Sequence, residues 1–128
     1  MQKALNDAKI SENEISYINA HGTSTKLNDK TEAKAINEIF ISKPYVSSTK
    51  SMTGHLLSAS GAIEAIITIK SLEENIIPPI INYKKFDEEC ALNLIVNEKK
   101  EVDNMRYAMT NSFGFGGHNV SLIFRKWE

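Results

Sequence analysis

Three histidines, His21, His55 and His118, each sit in a short segment rich in glycine, serine, threonine or asparagine. Each segment follows a run that reads as a β-strand, and loops beyond strand ends are where α/β sheets hold reactive groups. Brought together, the three would give one pocket lined with imidazoles that donate, accept or ligate. Left apart, they are ordinary surface loops, which favour the same residue types. Zinc is disfavoured, because the histidines lie 34 and 63 residues apart with no i, i+4 pair and no second cysteine. A Cys–His nucleophile is disfavoured as well. Cys90 follows Asp87, Glu88 and Glu89, and neighbouring carboxylates oppose the thiolate that would have to attack. Lys50 borders a stretch without formal charge from Ser51 to Ile63, so it must reach solvent or find an acid. Glu64 is the first acid after it; the pattern leaves open whether the two pair or Glu64 faces water.

The elements that would position these residues follow from periodicity. Residues 2–9 read as a short polar helix, and Ile15 to Ala20 as a strand ending at His21-Gly22-Thr23-Ser24-Thr25. Asn28 or Asp29 would cap a helix running to about Phe40, with Ala33, Ile36 and Phe40 on its inner face. Residues 44–48 read as a second strand, followed by a polar loop from Thr49 to His55. The segment from Leu56 to about Asn75 is the strongest helix. Its apolar positions run almost all round, predicting deep burial, and Pro78-Pro79 closes the unit. Residues 93–96 read as a short strand. Tyr107 to Asn111 and Val120 to Phe124 read as two more, joined by a glycine-rich loop. The order implies an α/β domain, a mixed sheet covered by helices with a closing hairpin.

Composition bounds the rest. The chain has 128 residues, 41% hydrophobic, with 15 basic and 16 acidic side chains and a net charge of -1. One domain is expected, and no basic field points to nucleic acid or anionic membrane. No membrane span is expected, and residues 1–10, with Lys3, Asp7 and Lys9, do not read as a secretory leader. A single cysteine excludes an intrachain disulfide framework and suggests a reducing, cytoplasmic setting.

Three segments taken together carry a resemblance. Asn19-Ala20-His21-Gly22-Thr23-Ser24-Thr25, then residues 48–55 (STKSMTGH), then Asn111-Ser112-Phe113-Gly114-Phe115-Gly116-Gly117 resemble three motifs of the β-ketoacyl-acyl carrier protein synthases, closest to the type II synthase of bacterial fatty acid synthesis. The resemblance runs from Ala4 to Arg125. It implies the thiolase-like fold, layered α/β/α, of which residues 1–128 match only the carboxyl-terminal half. It also implies that the nucleophilic cysteine belongs to an amino-terminal half outside this chain, so the chain is expected to be a fragment or one product of a split gene. Cys90 falls in a segment similar to a non-catalytic stretch of the family.

By the same resemblance, His21 and His55 are the two histidines of a Cys-His-His triad, acting on the enolate left when malonyl loses carbon dioxide. Lys50 matches the motif lysine and Glu64 its ion-pair partner. Thr23 and Thr25 match threonines that bond the phosphopantetheine arm. Phe113, Gly114, Gly116 and Gly117 match the loop lining the acyl pocket, where the backbone N–H of Phe115 completes an oxyanion hole and its ring acts as a gate. Asn19, Glu64 and Asn111 fall where the family can hold a structural monovalent cation; no other metal is implied. No resident cofactor is expected, since phosphopantetheine arrives on acyl carrier protein. The implied partners are acyl carrier protein, malonyl and acyl thioesters, the amino-terminal half and, when complete, a second copy. A polyketide or chain-length-factor subunit, or a non-catalytic carrier- or partner-binding fragment, is the alternative. Lys26 and Asn28 stand where many members have Pro and Gly. His118 stands where many have Thr and reads as a loop substitution.

Overall fold

In the computed structural model, which describes residues 1–127, the central element is a four-stranded sheet in the order β2-β1-β5-β6. β1 (Ile15–Asn19) runs parallel to β2 (Tyr45–Ser47) and to β5 (Tyr107–Phe113), while β6 (Asn119–Arg125) pairs antiparallel with β5. The sheet is therefore mixed, and the hairpin closes it.

Alternation along β1 and β5 splits the core in two. Ile18 and Met109 face α1 (Gln2–Ala8) and α2 (Lys26–Ile39), packing with Leu5, Ile36 and Phe40. Tyr17 and Ala108 face the other way, toward Leu72 of α4 (Ser60–Glu74), with Ile77 and Met105. The result is the expected α/β/α layering. Among the described residues no helix is long and apolar enough to cross a membrane.

Several local expectations need correction. The helix α2 begins at Lys26 because Thr25, not Asn28 or Asp29, is its cap, accepting a hydrogen bond from Asn28 N at 3.4 Å. Asp29 instead accepts from Ser24 N, which stabilises the preceding loop. The loop from Thr49 to His55 contains one helical turn, α3 (Lys50–Thr53). The helix α4 starts at Ser60, since Leu57 takes a left-handed φ of 51° that an α-helix cannot continue through. No regular strand forms over residues 93–96; single bridges join Val46 to Leu94 and Ile80 to Val96. The two-residue strands β3 (Ile76–Ile77) and β4 (Lys100–Glu101) pair with each other and are too short to leave a periodic signal.

The largest correction concerns α4. Its buried face is Ser60, Glu64, Thr68, Ser71 and Leu72, whereas Ile66 is 56% and Ile69 38% exposed. Ser60, Glu64 and Thr68, at i, i+4 spacing, face inward because they bond His55, Lys50 and Asn19, while Ser71 bonds Ile67 O of its own helix. Ile66 and Ile69 are left on the outer side, and Ile63 and Ile67 are half-buried.

Candidate active site

His21 lies just beyond the carboxyl end of β1, and its ring is held between two others. The His55 ring stands 5.5 Å away, centroid to centroid, at 88°, and the Phe113 ring 5.8 Å away at 61°. His21 is buried, and burial, then the positive Lys50, then His55, hold its imidazole well below the usual histidine range, at about 4. It is therefore neutral at pH 7, and its Nδ1 has no hydrogen-bond partner among the described residues. A neutral imidazole in such a place donates from one nitrogen without bringing in a charge.

The backbone here is fixed by a group that sequence reading missed. Glu32 of α2 is buried and accepts from His21 N and Gly22 N, each at 2.9 Å, and from Asn111 Nδ2 at 3.1 Å. Burial pushes its carboxyl up, against the pull of these donors. The signal was available. Glu32 stands four residues before Ile36, on the stripe that carries the apolar side chains of α2. Gly22 adopts a φ of +43°, and a Cβ there would lie 2.5 Å from Ser48 Cβ, so glycine is needed for both conformation and space.

His55 follows α3 and lines a cleft of about 640 Å³ together with Thr23, Thr25, Ser51 and Tyr83. A second hollow of about 510 Å³, beside Pro44 and Asp103, touches none of the three histidines. The His55 Nδ1 accepts from Leu57 N at 3.1 Å and contacts Ser60 Oγ at 3.0 Å. A backbone N–H can only donate, so Nδ1 is the unprotonated nitrogen of the neutral ring and Nε2 carries the hydrogen.

Lys50 and Glu64 form a buried ion pair, with side-chain exposures of 5% and 2%. Its second oxygen, Oε2, is one of three buried side-chain atoms without a partner among the described residues, with His21 Nδ1 and Thr110 Oγ1. Asn19 anchors the same region: its Nδ2 reaches Thr49 Oγ1 and Thr68 Oγ1, and its Oδ1 accepts from Thr49 N.

The remaining sequence-predicted residues are placed as follows. Thr23 and Thr25 line the cleft, with their hydroxyls 3.0 Å apart. Phe113 reaches His21. Phe115 does not; it is fully exposed, in a turn that Gly116 and Gly117 form with φ of +78° and +84° and that Gly114 N closes by donating to His118 O. His118 is exposed and is not a third member of the imidazole cluster. Asn19 and Glu64 are neighbours, with Asn19 Nδ2 3.5 Å from the Glu64 carbonyl oxygen, but Asn111 is not brought to them. Register pairs Asn19 with Thr110, so Asn111 faces the opposite side of the sheet, where it bonds Glu32 and Ser121. With Asn19 also saturated, these three side chains do not fit a common cation. Cys90 lines the same cleft, but burial followed by Asp87, Asp29 and Glu89 pushes its thiol up. It is not a thiolate.

Comparison with known proteins accords with this arrangement. Residues 1–84 match the family model described as the beta-ketoacyl synthase C-terminal domain. The 3-oxoacyl-[acyl-carrier-protein] synthase 2 of Vibrio cholerae serotype O1 is 48% identical over 130 residues, covering 98% of this chain and 31% of that protein. The crystal structure of a β-ketoacyl synthase from Burkholderia phymatum superposes with a TM-score of 0.95 at 45% identity, over 100% of this chain and 31% of that one. A type II polyketide ketosynthase solved with its acyl-carrier protein gives a TM-score of 0.92 at 37% identity, over 97% of this chain and 31% of that one. This chain thus spans about 31% of the length of the curated relatives it matches. It belongs to the β-ketoacyl synthase family, of which it carries carboxyl-terminal, thiolase-like α/β sequence.

Proposed function

We propose that this chain supplies the histidine half of a decarboxylating condensing enzyme, a 3-oxoacyl-acyl carrier protein synthase of fatty acid elongation. The observation that carries the reading is the pair of neutral-donor imidazoles, His21 and His55, held edge to face 5.5 Å apart. A malonyl thioester loses its carboxylate as carbon dioxide, and the electron pair of the broken C–C bond becomes an enolate. The enolate oxygen gathers negative charge, and two N–H donors aimed at it stabilise that charge without reorganising. The enolate carbon then attacks the carbonyl of an acyl thioester, and the thiolate leaves. The nucleophilic thiol comes from an amino-terminal half; Cys90 does not serve.

The pantetheine arm of the incoming carrier protein enters along the cleft lined by Thr23 and Thr25, and Phe115 swings over the acyl pocket. Support for the missing half as partner comes from the exposed isoleucines of α4 and the exposed Val120 and Leu122 of β6, apolar surface left uncovered on one side of the domain. The higher identity to synthase 2, 48% against 37% for the polyketide ketosynthase, favours fatty acid elongation over polyketide assembly.

The test separates two half-reactions in the complete synthase. Replacing His21 or His55 by alanine should slow carbon dioxide release by about 10²–10³, the usual cost of one donor aimed at developing charge. Acyl loading of the cysteine should change far less. If His55→Ala released carbon dioxide at the wild-type rate while loading failed, the assignment would be wrong.

A further inference from the structure

The inner stripe of α4 touches three groups of the site in succession, one helical turn apart. Thr68 meets Asn19, Glu64 meets Lys50, and Ser60 meets His55. The first two contacts hold the floor of the site. The third acts on an imidazole placed in the chemistry itself.

Ser60 is 5% exposed and opens α4, yet its hydroxyl does not cap that helix. Its Oγ accepts from Leu56 N at 2.9 Å, outside the helix, and lies 3.0 Å from His55 Nδ1. The direction of the second bond follows from its neighbours. Leu57 N already donates to Nδ1 at 3.1 Å, so this nitrogen carries no hydrogen, and the serine hydroxyl must be the donor. A hydroxyl has one hydrogen and two lone pairs; here the hydrogen goes to the ring and a lone pair receives Leu56 N.

From this geometry we infer that Ser60 is a positioning residue for His55, and that it holds the ring as its Nε2–H tautomer with Nε2 turned to the cleft. Moving the hydrogen to Nδ1 would break both bonds to that nitrogen and leave Nε2 unable to donate. The leucine N–H belongs to a turn with a left-handed residue, whereas Ser60 belongs to a helix fastened to Asn19 of β1 through Glu64 O and Thr68 Oγ1. Ser60 thereby ties the ring to the rigid part of the domain. The inference rests on the condensing role proposed above only for its kinetic consequence; the tautomer does not depend on it.

The experiment uses the complete synthase labelled with ¹⁵N-histidine, comparing wild type with Ser60→Ala and Ser60→Thr. In Ser60→Ala the His55 Nδ1 resonance should move toward that of a less hydrogen-bonded acceptor. Carbon dioxide release should fall about 3- to 10-fold, the worth of one neutral hydrogen bond, with KM unchanged. The hydroxyl of Ser60→Thr should restore both readouts, and all three proteins should unfold at similar denaturant concentration. An unmoved Nδ1 resonance in Ser60→Ala overturns the contact itself. A moved resonance with unchanged carbon dioxide release overturns the positioning role. Full decarboxylation by His55→Ala overturns the condensing reading and the kinetic role with it, while the nitrogen resonance still decides the tautomer.

Discussion

The edge of one imidazole meets the face of the other: His21 and His55, 34 residues apart in sequence, stand at 88° with their centroids 5.5 Å apart. The two differ in how they are held. His21 is buried and anchored through its backbone by Glu32, while His55 is open to the cleft and anchored through its ring by Leu57 and Ser60. One donor is thus fixed by its main chain and the other by its side chain.

The low position of His21 predicts a titration that NMR can follow. Its ring signals should show a midpoint at about 4 and not near 6.5. Because the folded-state value is the lower one, the unfolded chain takes the proton first. The stabilisation is present above pH 6.5 and is lost as pH falls from 6.5 toward 4. Lys50→Met removes a positive neighbour and should move the midpoint upward.

The buried Lys50–Glu64 pair predicts asymmetric mutational costs. Lys50→Met alone leaves a buried carboxylate without its cation and should cost about 3–5 kcal/mol in urea unfolding. Adding Glu64→Gln removes the stranded charge and should recover a large part of that loss. A double variant no more stable than Lys50→Met would show that the pair is not coupled.

At Gly22 a methyl group has no room. Gly22→Ala would force its Cβ against Ser48 Cβ and Oγ, at 2.5 and 2.6 Å, from a left-handed backbone. Overpacking of this kind costs about 1–3 kcal/mol. Denaturant midpoints should fall accordingly, and the His21 and His55 ring signals should shift because both neighbour this turn.

The exposed outer face of α4 predicts self-association of the chain taken alone. Sedimentation should find dimers or larger species at micromolar concentration, and Ile66→Lys with Ile69→Lys should shift them toward monomer. A dilute, cooperative wild-type monomer would contradict this.

What the sequence determined by itself was local chemistry and order. The strands near residues 15, 45, 107 and 120 were legible because alternation and β-branched residues mark a pleated, half-buried surface. The three histidine-bearing segments were legible through their turn-forming residues, and their motifs carried the family resemblance. Tertiary structure decided three things that spacing cannot encode. It selected the inner face of α4: hydrophobicity favoured the isoleucines, but Ser60, Glu64 and Thr68 had hydrogen-bonding partners waiting on the site side, and a buried polar group is tolerated only where such partners exist. It joined Glu32 to His21, Gly22 and Asn111, a contact between a helix and two strand ends visible only once α2 lies on the sheet. And it separated Asn111 from Asn19, because a one-residue offset between paired strands places a side chain on the opposite face. Residue type says what a group can do; register and packing decide which neighbours it does it with.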